Sequence, residues 1–247
     1  ANGLGVNAKG TITDNDNKEV ATFTSTHLGM GYFYLTPADG KTYSAKVSYP
    51  NGTQDVIALP KSNDNTIGIS VTDISRAFDV KISAGKQWFQ QNKDKSYTLV
   101  IYSGGEPQSF TVKLDNPESD VEVVKNFIHT GIAKVTLFSA DGEPLCERLL
   151  FVRTNALLAL NIKTDQSSYK PRSKTKIDLN AVTGENGPSS GHFSVSVVDE
   201  RTVPAAENME STVVNNILLT SDLNGYVEQP NYYFTHVTEK NNADLDL

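Results

Sequence analysis

Residues 97–114 read YTLVIYSGGEPQSFTVKL, in which two runs with a period of two flank the turn-forming pair Gly104-Gly105. The first run extends from Tyr97 to Tyr102 and the second from Phe110 to Leu114. Both are rich in Val, Ile, Leu, Thr, Tyr and Phe, and most of these residue types fit a pleated, half-buried surface. The stretch therefore predicts two β-strands separated by a turn.

The same pattern recurs along most of the chain, with turn formers such as Pro37-Ala38-Asp39-Gly40 and Asp141-Gly142 between the runs. Short strands with closely spaced turns are typical of β-sandwiches and not of βαβ units. The predicted fold class is therefore all-β, with tandem immunoglobulin-like sandwich domains. The predicted strands lie in the runs 11–13, 20–24, 32–36, 43–49, 67–71, 78–83, 97–102, 110–114, 133–138, 146–152, 159–164, 176–182 and 193–198.

A length of 247 residues predicts two or three sandwiches, since one takes about 100 residues. A polar, Pro-marked break follows Leu59, and a second break at Arg153-Thr154-Asn155 follows an apolar run. The predicted domains are 1–60, 61–154 and 155–247. The first is short for a complete sandwich, so its opening strands are expected to be missing.

One stretch in the last predicted domain departs from the period of two. Val214, Ile217 and Leu218 have the i, i+3, i+4 spacing of a helical face, and Ser211 or Thr212 can cap the first turn. We expect one short helix near residues 211–220. Because so short a helix is marginally stable alone, its three apolar side chains are predicted to be buried against the third sandwich.

The charge balance excludes two classes of partner. The formal net charge is −7, whereas nucleic-acid binding needs a basic surface that neutralises phosphates. An acidic surface also fits anionic lipid headgroups poorly. No apolar run approaches the roughly 20 residues that span a bilayer, so direct membrane insertion is not expected.

No catalytic or metal-binding constellation is apparent, which predicts a protein that is not an enzyme and has no cofactor or metal. None of the four histidines stands at metal-ligand spacing from another His or Cys. Ser189-Ser190-Gly191-His192 lacks the glycine spacing of a nucleophile elbow. Cys146, the single cysteine, lies in a predicted strand and is interpreted as a small buried hydrophobe.

Two features leave alternatives open. Asp14, Asp16 and Glu19 suggest either a calcium loop or a polar hairpin turn; Lys18 and Glu19 do not fit the EF-hand pattern, which favours the turn. Trp88 and Phe89, within a polar stretch, could form a platform for a glycan. Packing of this loop onto its own sandwich is the favoured alternative, because large rings are rarely left fully exposed.

Several stretches, in their order along the chain, resemble the macroglobulin-like envelope proteins of Gram-negative bacteria. These proteins combine sandwiches of the second macroglobulin domain type with a region that resembles the plug of TonB-dependent outer-membrane receptors. The matching stretches are Gly10–Asp14, Glu19–Ala21, His27–Phe33, Tyr43–Ala45, His129–Phe138, Gly142–Leu145, Glu147–Val152, Tyr169–Pro171, Ser194–Asp199, Leu218–Tyr226 and Tyr232–Phe234.

The resemblance implies macroglobulin-like domains at 1–60 and 155–247 and a periplasmic or cell-surface location associated with the outer membrane. It also implies that the partners are other domains of a larger protein or other envelope proteins. Full macroglobulins trap proteases through a Cys-Gly-Glu-Gln thioester. Here Cys146 is followed by Glu147-Arg148, so this thioester cannot form and no functional residue is carried over.

Two functional hypotheses follow from these observations. The first is a non-catalytic scaffold or interaction region of a larger cell-envelope protein. The second is a binding module of the cell surface for a glycan or a protein, with a link to outer-membrane uptake and with Trp88 and Phe89 as candidate ligand contacts. Binding modules of this class use loops at one end of a sandwich or an open strand edge.

Overall fold

A computed structural model describes residues 3–38, 40–154, 158–182, 187, 189–199, 201–204 and 206–247. The described part is mostly antiparallel β-structure, which confirms the predicted all-β fold class. Its strands are β1 (Lys9–Asp14), β2 (Glu19–Thr24), β3 (Tyr43–Ser48), β4 (Gln54–Ala58), β5 (Ile67–Asp73), β6 (Ala77–Ala84), β7 (Ser96–Ser103), β8 (Glu106–Lys113), β9 (Glu118–Val124), β10 (Gly131–Phe138), β11 (Pro144–Val152), β12 (Ala159–Thr164) and β13 (Ile177–Val182).

The chain divides into two compact units, one of residues 1–151 with 206–247 and one of residues 152–205. The C-terminal segment, which we define as residues 206–247, therefore belongs to the same unit as the first eleven strands, apart from Val152 at the end of β11. The predicted domain limits near 60 and 154, and the incompleteness of the first domain, stay predictions.

The first sheet has the strand order β2-β1-β3-β4. Ile12 of β1 is fully buried and lies opposite Ala21 of β2 and Ala45 of β3. Phe33 and Leu35 pack against this core from a segment that forms no strand. The strand predicted at 32–36 is therefore wrong. Its apolar side chains alternate and pack inwards as in a strand, but its backbone forms no ladder of hydrogen bonds with a neighbouring strand.

The next seven strands form two sheets, with the orders β5-β6-β9 and β11-β10-β7-β8. This non-sequential order is that of an immunoglobulin-like sandwich. Alternate side chains of both sheets are buried, as expected for two sheets packed face to face. The deeply buried side chains of these strands include Val80, Ile82, Tyr97, Leu99, Ile101, Val123, Ala133, Val135, Leu137 and Val152. We call residues 67–152 the second sandwich.

A helix that the sequence reading missed, α1 (Lys86–Asn92), connects β6 to β7. The polar composition of this stretch indicates a loop. Gly85 precedes the helix in an extended conformation, and a Cβ atom there would lie 2.2 Å from the carbonyl oxygen of Asp64. The close backbone approach thus leaves no room for a side chain at Gly85, the residue between β6 and α1.

The helix predicted near 211–220 is confirmed as α2 (Val213–Asn215), which continues into a π-helical turn at Asn216–Thr220. Thr212 caps it through a capping box with Asn215. The predicted burial is wrong for Val214 and Ile217, which are 41% and 60% exposed, whereas Leu218 is half-buried. Asn215 and Leu219, which are four residues apart, are the buried side chains instead.

The C-terminal segment also contains the 3₁₀ turns Glu207–Met209 and Pro230–Tyr233 and the helix α3 (Glu239–Asp244). Buried asparagines join these short elements. The side-chain amide of Asn231 donates to Glu207 O at 2.9 Å, and that of Asn241 donates to Tyr232 O at 2.9 Å. Side-chain to backbone hydrogen bonds thus hold together a segment that has few regular elements.

In the unit of residues 152–205, β12 and β13 form a two-stranded antiparallel sheet. Leu160 and Ile162 share one face with Leu179 and Ile177, and all four are exposed. The predicted strand at 193–198 is wrong, since no strand is assigned to it. In the described part of the chain, no helix is long and apolar enough to cross a membrane.

Candidate functional site

The candidate site is an interface at which the C-terminal segment contacts a tight turn. This turn follows β2 of the first sheet. The turn runs from His27 to Met30, and the backbone N–H of Met30 donates to His27 O at 2.8 Å. Leu28 and Gly29 both have positive φ, 46° and 79°. This conformation suits glycine and is strained for leucine, so surrounding contacts must hold the turn.

Those contacts come from the segment that precedes β1. A Cβ atom on Gly5 would lie 1.7 Å from the carbonyl oxygen of Leu28, which shows how closely the two backbones approach. The backbone N–H of Gly5 in turn donates to the carboxylate of Glu228 at 3.0 Å. The strained turn is therefore wedged between residues near the start of the chain and the C-terminal segment.

The side chain of His27 points from this turn into aromatic surroundings in the C-terminal segment. Its ring stacks on Tyr232, with a centroid separation of 4.4 Å, and meets Tyr233 edge-on at 5.5 Å. The His27 side chain is only 9% exposed. The Pro230–Tyr233 turn, which begins with Pro at its first position, places both tyrosines against the histidine.

Asp244 of α3 is the charged centre of the interface and is 4% exposed. One of its carboxylate oxygens accepts hydrogen bonds from Tyr232 Oη and Lys240 Nζ, both at 2.7 Å. His27 Nδ1 lies 3.6 Å from the same oxygen. Thr238 begins α3 with a capping box that involves Asn241, which fixes the helix that carries Asp244 and Lys240.

The environment shifts the acid–base behaviour of these groups. Burial lowers the pKa of His27, and the charge of Asp244 opposes this only in part. Burial raises the pKa of Asp244, but hydrogen bonds from Lys240 and Tyr232 outweigh it and leave the pKa below its usual value. Burial also raises the pKa of Tyr233 to about 12. Near neutral pH the interface thus holds a neutral histidine beside a paired carboxylate.

A histidine beside an aspartate also occurs in hydrolases, but this pair lacks the third member. His27 Nε2 is buried and has no hydrogen-bond partner among the described residues, whereas a general base must contact its nucleophile. In the same described ranges, no group of three or more His, Cys, Asp or Glu side chains could hold a metal ion. The geometry is that of a packed interface.

A cavity of about 320 Å³ borders this interface. Leu28 and Met30 of the turn line one part of it, and Leu219, Tyr226 and Glu228 of the C-terminal segment line another. Tyr233 and Asp244 connect the cavity wall to the His27 cluster. The walls are largely aliphatic, with carboxylates at Glu228 and Asp244.

The C-terminal segment also contacts the second sandwich. Arg148 of β11 lies 3.3 Å from the carboxylate of Asp246, and Phe151 meets Phe234 edge-on at 5.8 Å. The π turn lies against β10, where a Cβ atom on Gly131 would be 3.4 Å from the carbonyl oxygen of Leu218. One segment therefore touches both the first sheet region and the second sandwich.

The predicted ligand contacts, Trp88 and Phe89, lie on α1 and are both half-buried. The rings of Trp88 and Tyr97 are 5.6 Å apart, and Tyr97 Oη donates to Asn92 O at 2.8 Å. Trp88 therefore packs against its own sandwich, in line with the favoured alternative. Whether either ring contacts a ligand stays a prediction, and the two lie away from the His27 interface.

Sequence reasoning missed an exposed aromatic pair, Tyr32 and Tyr34, which are 65% and 86% exposed. Their rings meet edge-on with centroids 5.4 Å apart. The period-two run 32–36 contained the signal, since Phe33 and Leu35 turn inwards and the tyrosines outwards. The sequence alone did not show which alternate set would be covered.

The remaining sequence candidates have structural roles. Asp14 accepts the backbone N–H groups of Asp16 and Lys18, each at 2.9 Å, which is the polar hairpin turn favoured over a calcium loop. Lys41 pairs with Asp14 and Asp16. Burial raises the pKa of the Cys146 thiol to about 11, so the thiol stays protonated near neutral pH.

Comparison with known proteins does not add an identity to this geometry. No protein-family model matches the chain, and a search of curated proteins found no match. The resemblance to macroglobulin-like envelope proteins therefore stays a prediction from the quoted stretches.

Proposed function

We propose that this chain is a non-catalytic scaffold and interaction region of a larger bacterial cell-envelope protein, located in the periplasm or at the cell surface. The envelope setting rests on the macroglobulin-like stretches, and other domains or envelope proteins are the proposed partners. The scaffold role rests on the way the C-terminal segment links two β-structures within one compact unit.

The double contact of the C-terminal segment carries this proposal. At one end His27 and Gly5 engage Tyr232, Asp244 and Glu228. At the other end Phe234 and Asp246 engage β11 of the second sandwich. Because both contacts involve residues only a few positions apart in the segment, the first sheet and the second sandwich are held at a set separation.

The test is a distance measurement between the two β-structures. Spin labels at Gln54 of β4 and Lys113 of β8, in a Cys146→Ser background, are expected to give one narrow distance distribution. Phe234→Ala should broaden it, because the edge-on contact with Phe151 is lost. The matched control is Phe127→Ala, since Phe127 is 69% exposed.

A broad distribution in the parent protein would contradict a rigid scaffold. So would a Phe234→Ala variant whose distribution is as narrow as that of Phe127→Ala. Unfolding curves of each variant establish that any broadening occurs in folded protein.

A second candidate function, recognition of a glycan, is favoured by the exposed pair Tyr32 and Tyr34. Aromatic rings with an apolar face and a polar tip are typical of sugar-binding and interfacial sites. Phe33 and Leu35 anchor the same segment in the core of the first sheet, so the two exposed rings stand on a fixed backbone.

Titration with a panel of neutral oligosaccharides, followed by amide chemical shifts, tests this candidate. Binding at this site should perturb residues 31–36, and Tyr34→Ala should weaken it on the order of tenfold through lost ring contact. The control Trp88→Ala should leave it unchanged. Perturbation centred on residues 86–92 would instead support the platform predicted at Trp88 and Phe89.

A further inference from the structure

His27 is a largely buried histidine that lies in an interface and has a ring nitrogen left unsatisfied within the described part of the chain. Its side chain is 9% exposed, and it lies between the turn of residues 27–30 and the C-terminal segment. Its Nε2 atom is buried without a hydrogen-bond partner among the described residues. A buried polar atom without a partner carries a cost in free energy and calls for an explanation.

The geometry sets the proton arrangement of the neutral ring. Nδ1 faces Asp244 Oδ2 at 3.6 Å, so the proton of the neutral imidazole belongs on Nδ1. Nε2 then carries only a lone pair, which is the least costly group to leave unpaired. A second proton on Nε2 would place an N–H donor and a positive charge at a buried atom that has no hydrogen-bond partner among the described residues.

The charged and titratable groups that face His27 come from the C-terminal segment. Asp244 attracts the protonated ring, while Lys240 repels it and already neutralises Asp244 at 2.7 Å. Glu228 adds a weaker attraction. Hydrogen bonds keep the pKa of Asp244 low and that of Lys240 high, and burial raises the pKa values of Tyr232 and Tyr233. Those four groups therefore keep their charge states when a histidine titrates.

We propose that His27 is an acid-sensitive latch, whose protonation releases residues 230–246 from the turn at 27–30 and exposes Tyr232, Tyr233 and the adjoining cavity to solvent. This goes beyond the scaffold role, because a scaffold without a latch would show the same narrow distances and no response to mild acid. The interface and the buried Nε2 atom of His27, which both lie in one compact unit, are the observations that support this latch.

The direction of the pH response follows from linkage. The pKa of His27 is lowered from its ordinary value of 6.5 in the docked state, so the released state binds the proton more readily. Docking is therefore at full strength above pH 6.5 and is lost as the pH falls from 6.5 towards the lowered value. One linked proton changes the docking equilibrium by up to about tenfold per pH unit across that window.

Amide hydrogen exchange of the whole chain at pH 7.5 and 5.5, corrected for intrinsic rates, tests the latch. Residues 239–245 should lose protection at pH 5.5, by up to about tenfold for each unit of the window, while β7 and β10 keep theirs. His27→Phe retains an aromatic ring beside Tyr232 and has no proton to gain. Its protection should not depend on pH, whereas the control His192→Phe, at an exposed position, should behave like the parent protein.

Equal pH dependence in His27→Phe and in the parent protein would overturn the latch, as would unchanged protection of residues 239–245 at pH 5.5. A second measurement needs no variant at position 27. The imidazole proton resonance of His27 should titrate below pH 6.5 in the parent protein, and a midpoint at or above 6.5 would refute the proposal.

Discussion

The second sandwich and the β12–β13 sheet share one sequence pattern but differ in burial. In β7, Leu99 and Ile101 alternate with polar or half-buried residues and are 0% and 2% exposed. In β12, Leu160 and Ile162 alternate in the same way and are 43% and 61% exposed. The difference lies in the layers: β7 belongs to one of two sheets that pack together, whereas β12 pairs with β13 in a sheet of two strands.

Alternation therefore predicts a strand, and burial requires a second layer. A two-stranded sheet is marginally stable in water. Burial of its apolar face stabilises the folded state only if another surface covers that face. The C-terminal segment shows that irregular chain can also provide cover: residues 206–247 contact β10 and β11 and contain few regular elements. The contrast between the two β-regions predicts changes in stability, and the predictions follow in decreasing order of size.

The largest expected effect is in hydrogen exchange. Amides of β7 and β10 should exchange at least about 10³-fold more slowly than those of β12 and β13, because opening a packed core costs about 5 kcal/mol or more. Exchange followed by mass spectrometry or by amide resonances measures this directly. Comparable protection of the two regions would show that the apolar face of β12–β13 is covered in solution.

The next effect concerns two leucines in strands. Leu99→Ala should lower the free energy of unfolding of the second sandwich by about 3 kcal/mol, through lost transfer free energy and a residual cavity. Urea unfolding followed by the fluorescence of Trp88, the single tryptophan, reports on this sandwich.

The matched control is Leu160→Ala in β12. It removes the same atoms from a half-exposed site and should leave the Trp88 transition within about 0.5 kcal/mol of the parent value. A loss as large as that in Leu99→Ala would mean that Leu160 is buried in solution against the sandwich or another surface.

The smallest effect separates two neighbouring capping candidates in the C-terminal segment. The Thr212 side chain accepts the N–H of Asn215 at 3.2 Å, so Thr212→Ala should cost about 1 kcal/mol. Ser211→Ala should cost almost nothing, because Ser211 is exposed and outside the capping box. Local exchange at residues 213–220 measures both, and equal effects would contradict the assigned cap.

Much of the fold could be predicted from local chemistry. Runs such as 43–49, 97–102 and 133–138 became strands because β-branched and aromatic residues fit a pleated, half-buried surface. Thr212 was one of two predicted caps, since hydroxyl residues satisfy free N–H groups at a helix start. The runs 32–36 and 193–198 show the limit, because a ladder also needs a neighbouring strand in register.

The candidate site could not be predicted in this way. His27, Tyr232 and Asp244 belong to separate parts of the chain and have no motif spacing that would connect them. The sequence by itself determined the β-rich composition, the acidic charge, the turn positions and the short capped helix, which all depend on neighbouring residues. The tertiary structure alone decided that the C-terminal segment closes over His27 and that Ile12 is covered while Ile162 is exposed. Burial and its effect on a pKa depend on contacts between residues far apart in the chain.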